Sequence, residues 1–169
     1  LVPIVEPEVL MDGDHTIERC EHVTECLLNT VFMELYYAKV QLEGMVLKPN
    51  MIVPGKKCAT QVSDEEIATK TIKVLRDCVP SAVPGIAFLS GGQDDVEATA
   101  RLDAMNRIGG FPWHLTFSYG RALQLAPQVA WSGKSDNVPA AQAAFSHRAE
   151  MNGIATLGKW TEAVEKKAA

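Results

Sequence analysis

Met45-Val46-Leu47-Lys48-Pro49-Asn50 is the stretch on which the fold turns: a short apolar run delivers a lysine and is then broken by a proline and an asparagine. A run of this length, flanked by turn residues, has the form of a buried strand. Three other stretches repeat the form: Leu1 to Val5, ending at Glu6-Pro7-Glu8; Ile86 to Leu89, ending at Ser90-Gly91-Gly92-Gln93; and Leu115 to Phe117, ending at Ser118-Tyr119-Gly120-Arg121. Glu6 to Lys48 and Lys48 to Ser90 are each 42 positions, and Ser90 to Arg121 is 31. Each interval holds one strand, one helix and two loops, the βα unit of a doubly wound sheet or of a (β/α)8 barrel. Four units make half a barrel, and four parallel strands closed on nothing would leave two open edges.

The intervening segments read as helices. The first is expected over about Thr16 to Val40, opened by Asp12-Gly13-Asp14 and closed before Gly44, with Val23, Leu27, Val31 and Leu35 as its apolar stripe. Ser63-Asp64-Glu65-Glu66 has the form of a capping box that starts the second, and it sets three acids at the positive end of the helix dipole. Pro80 and Pro84-Gly85 end that helix. Further helices are expected at about Asp94 to Arg107, Gly120 to Ala130 and Val138 to Glu150, and the pattern weakens after Gly153.

Composition narrows the function classes. Of 169 residues 47% are apolar, enough for a sizeable core, and 16 basic against 21 acidic residues give a net charge of -5 with no basic stripe. Nucleic acid is therefore not an expected partner. No apolar run approaches the roughly 18 to 20 residues that span a bilayer, and no signal peptide is recognisable, so no membrane association is expected and the chain reads as soluble and intracellular. Cys20, Cys26, Cys58 and Cys78 form no CxxC pair and lack histidines at metal-finger spacing, so reduced thiols are expected and no metal. The chain opens inside the apolar run Leu1-Val2-Pro3-Ile4-Val5, which reads as a cut end.

In a (β/α)8 barrel the chemistry sits at the C-terminal ends of the strands. Lys48 would there project from an apolar strand end, where desolvation and neighbouring cations lower a lysine's pKa and free a neutral amine that attacks carbonyls. The alternative is a lysine leaving the strand for solvent. Glu6 and Glu8 leave the first strand on one side, with Pro7 holding the chain extended, and paired acids suit the proton transfers of imine formation. They could equally cap the following turn or pair with a lysine. Ser90-Gly91-Gly92-Gln93 brings bare backbone to a helix start, which attracts an anion, and Tyr119-Gly120-Arg121 repeats the arrangement and adds a guanidinium. His15, His22 and His147 stand in helical or turn settings without evident partners, and His114 beside Trp113 reads as packed or solvated.

Taken in order, Ile4-Val5-Glu6-Pro7-Glu8, Leu47-Lys48-Pro49-Asn50-Met51, Phe88-Leu89-Ser90-Gly91-Gly92-Gln93 and Leu115-Thr116-Phe117-Ser118-Tyr119-Gly120-Arg121-Ala122-Leu123-Gln124 resemble the successive signatures of class I fructose-bisphosphate aldolases, over nearly all of the chain up to about Gly158. The resemblance implies an α/β fold, the C-terminal half (strands 5 to 8) of a (β/α)8 TIM barrel, with residues 1–158 in that half and 159–169 starting a C-terminal tail. It also implies that Lys48 forms an imine with the ketose or with dihydroxyacetone phosphate and that Glu6 is the acid-base residue. Ser90, Gly91, Gly120 and Arg121 would hold the C1 phosphate, with Glu8 and Ser118 in the hydrogen-bonded shell. The implied reaction is reversible cleavage of fructose 1,6-bisphosphate to dihydroxyacetone phosphate and glyceraldehyde 3-phosphate, without metal or other cofactor, by a cytoplasmic homotetramer in glycolysis and gluconeogenesis. The family's catalytic aspartate and two further active-site lysines lie on its first four strands, which this stretch does not contain, and its terminal tyrosine has no counterpart in Glu165-Lys166-Lys167-Ala168-Ala169. Two other readings stand beside it: another Schiff-base barrel such as a transaldolase, and a non-catalytic half-barrel that serves in binding or assembly.

Overall fold

The computed structural model describes residues 1–167; Ala168 and Ala169, the last residues of the expected tail, lie outside the described residues. Four strands form one parallel sheet: β1 (Ile4–Val5), β2 (Val46–Leu47), β3 (Gly85–Phe88) and β4 (His114–Phe117), hydrogen-bonded in the order β1-β2-β3-β4. The ladder continues past the regular pairs to the functional strand ends, with Lys48 N donating to Val5 O (2.7 Å), Leu89 N to Pro49 O (3.1 Å) and Ser118 N to Phe88 O (2.9 Å). Helices α1 (Ile17–Tyr37), α2 (Asp64–Cys78) and α3 (Asp95–Ile108) cross between successive strands, and α4 (Arg121–Trp131), α5 (Val138–Ala155) and α6 (Glu162–Lys167) follow β4.

Strand order separates the two architectures that the spacing alone left open. A doubly wound sheet reverses direction at a switch point, whereas here each strand is added beside its predecessor. Right-handed crossovers that always advance one way place their helices on a single face, as in the wall of a barrel. The register agrees: Leu47 pairs with Val5 and Ile86, Ile86 pairs with Leu115, and Leu47, Ile86 and Leu115 are buried on the helix-covered face. By strand alternation, Ile4, Val46, Gly85 and His114 point to the uncovered face, and so do Glu6, Lys48, Ala87 and Thr116 two residues on.

The core lies between sheet and helices. α1 contributes Ile17, Cys20, Thr24, Leu28 and Phe32; α2 contributes Ile67, Ile72 and Leu75; and α3 contributes Ala98, Leu102 and Met105. The buried stripe of α1 therefore sits one residue beyond the expected Val23, Leu27, Val31 and Leu35, which are half-buried on its flank. The stripe includes a cysteine and a threonine, residue types that a search for large aliphatics passes over. α1 also ends at Tyr37 rather than near Val40, because Lys39 takes a left-handed φ of 56°.

Helix starts follow the sequence more closely. Ser63 Oγ accepts from Glu66 N at the head of α2, and at α3 the box closes in both directions between Asp94 and Glu97. The weakly patterned end of the chain is nonetheless structured: α5 runs on to Ala155, Trp160 N donates to the buried Asp103 Oδ1 (2.7 Å), and Glu165 on α6 accepts from the buried Arg148 (2.6 Å) and from the Trp160 indole (2.8 Å). His147 has a partner after all, with its Nε2 lying 2.9 Å from Glu165 Oε1. No helix among the described residues is long and apolar enough to cross a membrane.

Candidate active site

The four strand ends open into a single cleft. It encloses about 230 Å³ and is lined by Glu6, Glu8, Leu10, Asp12, Lys48, Leu89, Ser90, Gly91, Gly92, Ser118, Gly120 and Arg121. All eight residues singled out in the sequence meet there: Lys48, Glu6, Glu8, Ser90, Gly91, Ser118, Gly120 and Arg121. Leu10 and Asp12, which carried no motif, join them. A larger cleft of about 480 Å³ between α2, α3 and α6 is lined by acids such as Asp64, Glu65, Asp94 and Glu97, and its one lysine, Lys166, is an exposed partner of Glu162 rather than a strand-end group, so size does not choose the site.

Lys48 and Glu6 are in-register neighbours at the ends of β2 and β1, and Lys48 Nζ lies 3.0 Å from Glu6 Oε1. The lysine side chain is 20% exposed and the glutamate 49%, so the amine is the more enclosed of the two. A carboxyl at this distance can pass a proton to or from a group bonded to the amine nitrogen, which is the geometric requirement for general acid-base assistance.

Asn50 holds these two strand ends together, a role that sequence reasoning missed. Its Oδ1 accepts from Val9 N (2.9 Å) and its Nδ2 donates to Thr24 Oγ1 (3.2 Å) and Met51 O (3.0 Å), so one buried amide ties the loop after β1, the loop after β2 and α1. Cys20 and Thr24, the polar members of the α1 stripe, face this amide. Asn50 lies in the Leu47-Lys48-Pro49-Asn50-Met51 signature, but only a match with the distant Thr24, which lies in no motif, would have exposed the link.

The opposite wall is built for an anion, though not in the way the pattern implied. The expected helix start after Ser90-Gly91-Gly92 is already occupied: the Asp94 carboxylate accepts from Glu97 N (2.7 Å), so the positive end of α3 has its own anion. What remains open is the backbone. Gly91 and Gly92 take successive left-handed φ values of 56° and 85°, the central pair of a tight turn that favours glycine and leaves bare backbone on the cleft wall. The turn is fixed from beneath by Gln93, whose backbone N (3.0 Å) and side-chain Nε2 (2.9 Å) both donate to Ser90 O, while Arg101 Nη1 donates to Gln93 Oε1 (2.8 Å).

Across from this turn, α4 begins at Arg121 with no side-chain cap and no acid in its first turn, leaving its N-terminal N-H groups and dipole available. Buried Tyr119 anchors that loop, its hydroxyl donating to Ala98 O (2.9 Å). Burial drives the Tyr119 phenol far above its ordinary pKa, so it remains a neutral donor. The arrangement thus offers a paired amine and carboxyl on one side and a bare glycine turn, an uncapped helix start and a guanidinium on the other.

Comparison with known proteins places this architecture. The sequence model of the class-I fructose-bisphosphate aldolases matches residues 1–169. The chain is 54% identical over 161 residues to fructose-bisphosphate aldolase C of Rattus norvegicus, covering 95% of this chain and 44% of that protein, and 53% identical to fructose-bisphosphate aldolase 2 of Caenorhabditis elegans with the same coverage. A probable class 1 fructose-bisphosphate aldolase of Xanthomonas campestris is 51% identical, with 48% of it covered. A solved fructose-bisphosphate aldolase from Plasmodium falciparum, in complex with TRAP and a small-molecule inhibitor, superposes with a TM-score of 0.93 at 48% identity, over 95% of this chain and 46% of that one. The chain spans less than half the length of these relatives. Matched from end to end by the family's sequence and superposed closely on one member's fold, it belongs to the class-I fructose-bisphosphate aldolases.

Proposed function

We propose that these residues supply the imine-forming half of an enzyme that reversibly cleaves fructose 1,6-bisphosphate to dihydroxyacetone phosphate and glyceraldehyde 3-phosphate. The observation that carries the proposal is the 3.0 Å pairing of Lys48 with Glu6 in the same cleft as the Gly91-Gly92 turn and Arg121. Lys48 Nζ adds to the ketose C2 carbonyl, giving a carbinolamine; Glu6 gives a proton to the departing hydroxyl, water leaves, and an iminium remains. The iminium draws the electron pair of the C3-C4 bond as that bond breaks, releasing glyceraldehyde 3-phosphate and leaving an enamine. Protonation at C3 and hydrolysis then return dihydroxyacetone phosphate and free Lys48. The imine is the electron sink, so the proposed chemistry uses no metal or other cofactor.

Ser90, Gly91, Gly120 and Arg121 hold the C1 phosphate in this reading, and Glu8 and Ser118 support the surrounding hydrogen bonds. The base that takes the C4 hydroxyl proton comes, by the family resemblance, from strands outside this stretch. Residues 1–158 are assigned to the half-barrel and 159–169 to the start of the C-terminal tail. A cytoplasmic homotetramer in glycolysis and gluconeogenesis is the setting that the family resemblance supports.

Borohydride trapping with dihydroxyacetone phosphate tests the assignment directly. The full-length protein is expected to carry the reduced adduct on Lys48 by peptide mass spectrometry, and Lys48→Arg to carry none. Glu6→Gln is expected to slow adduct formation by about 10²- to 10⁴-fold. An adduct on another lysine, or on none, would sink the proposal.

A further inference from the structure

The cleft is approached by one more cation than the family's motifs account for. Lys56 stands in the loop after β2, and its backbone is laced to the loop after β1: Gly55 N donates to His15 O (2.9 Å), Lys56 N to Met11 O (2.8 Å) and Lys57 N to Gly13 O (2.8 Å). The two loops lie so close that a Cβ on Gly55 would overlap the Gly13 carbonyl. From this fixed base the Lys56 side chain, though exposed, is directed toward a neighbouring loop. It crosses to the loop after β3, where Nζ lies 2.8 Å from the position a Cβ would take on Gly92, and Arg121 Nη2 lies 3.7 Å from the same point. Cations from the loops after β2 and β4 therefore converge over one bare backbone position after β3.

Charge makes this convergence informative. Among the described residues neither Lys56 nor Arg121 has a carboxylate within ion-pair distance, and the cleft's close ion pair joins Lys48 to Glu6. Two like charges directed at one point without a counter-ion repel each other, and a multiply charged anion placed between them removes the repulsion. The point they share is Gly92, second central residue of the tight turn, where the missing Cβ leaves space between the two cations.

We propose that Lys56 is a phosphate-binding residue, its ammonium closing the open side of the group held by Gly91, Gly92 and Arg121. The proposal rests on reading this cleft as a phosphate site and adds to it a residue from outside every strand-end motif. The two cations differ in kind: the planar Arg121 fork fixes the orientation of the phosphate oxygens, whereas Lys56 supplies a point charge on a flexible stem that can follow the phosphate as the substrate is cleaved.

Inhibition of the full-length enzyme by inorganic phosphate is the test, with Lys56→Ala, Lys56→Arg and Arg121→Ala compared with the parent. Lys56→Ala is expected to raise the phosphate inhibition constant about threefold to tenfold and to flatten its dependence on salt. Lys56→Arg is expected to restore most of both, and the thermal midpoint without phosphate should be the same in all four proteins because Lys56 and Arg121 are both exposed and, among the described residues, neither holds an ion pair. An unchanged inhibition constant in Lys56→Ala, beside a raised one in Arg121→Ala, would overturn the role of Lys56 and leave the phosphate site standing. No change in either variant would overturn the phosphate site itself.

Discussion

At the scale of single residues, one buried amide ties together the loops that carry Glu6 and Lys48. Asn50 is 5% exposed and uses both ends of its side chain, accepting from Val9 N and donating to Thr24 Oγ1. Asn50→Ala strips the half-buried Val9 N-H of its acceptor and leaves the buried Thr24 hydroxyl only its weak contact with Cys20 Sγ, at a cost of about 1 to 3 kcal/mol in stability by urea unfolding. Because the same amide aligns the loops that carry Glu6 and Lys48, imine trapping should slow by more than the lost stability accounts for. Unchanged trapping in folded Asn50→Ala would show that the strand ends align without it. Lys48 and Glu6 were legible in the sequence because strand alternation alone puts both on the uncovered face at equivalent strand ends. Asn50 was not, because its partners lie 41 and 26 residues away and look locally like an ordinary loop valine and a helix-filling threonine.

Between elements, the two glycine turns do different work. Gly91 and Gly92 need glycine for their left-handed backbone, whereas Gly120 has a φ of -83° and a Cβ there would meet nothing within 4 Å. Crowding does not demand glycine at 120, and although its ψ of -89° lies outside the usual helical and extended ranges its φ is open to any residue, so a methyl there acts mainly on whatever occupies the space in front of it. Gly120→Ala is accordingly expected to change the unfolding free energy by no more than about 1 kcal/mol while raising the phosphate inhibition constant at least fivefold, because the methyl holds an anion off the N-terminus of α4. A large loss of stability, or unaltered inhibition, would contradict that account. Helix starts were readable from Ser63 and Asp94 because caps are local. The burial register of α1 and the existence of α6 were not, since each is set by partners supplied from far along the chain.

Across the whole molecule, the last helix is held by charge. Burial by itself would raise the pKa of Glu165, but hydrogen bonds from Arg148, His147 and Trp160 outweigh it and hold the carboxyl below its ordinary value. An acid whose folded pKa is depressed contributes its full stabilisation above the unfolded value of about 4.3, and the contribution is lost as pH falls through the folded value. The attachment of α6 should therefore fail in acid before the sheet core does, visible as loss of the Trp160 indole N-H resonance. In Glu165→Gln the acid step should vanish and stability at neutral pH should fall by about 1 to 3 kcal/mol. An acid step retained in that variant would assign the transition to another carboxyl. The half-barrel was legible because strand spacing repeats, while its closure onto α6 was not, because Glu165 and Arg148 look like ordinary surface charges. The sequential strand order has a consequence in time. Synthesis runs from the N-terminus, so when β2 leaves the ribosome the neighbour it pairs with, β1, is already out, and the sheet can grow by adding one unit to the last. Lys48 and Glu6 sit on the first two strands of this stretch, and the anion-facing loops on the last two. The reactive amine and its carboxylate partner thus emerge before the groups that would hold a substrate against them.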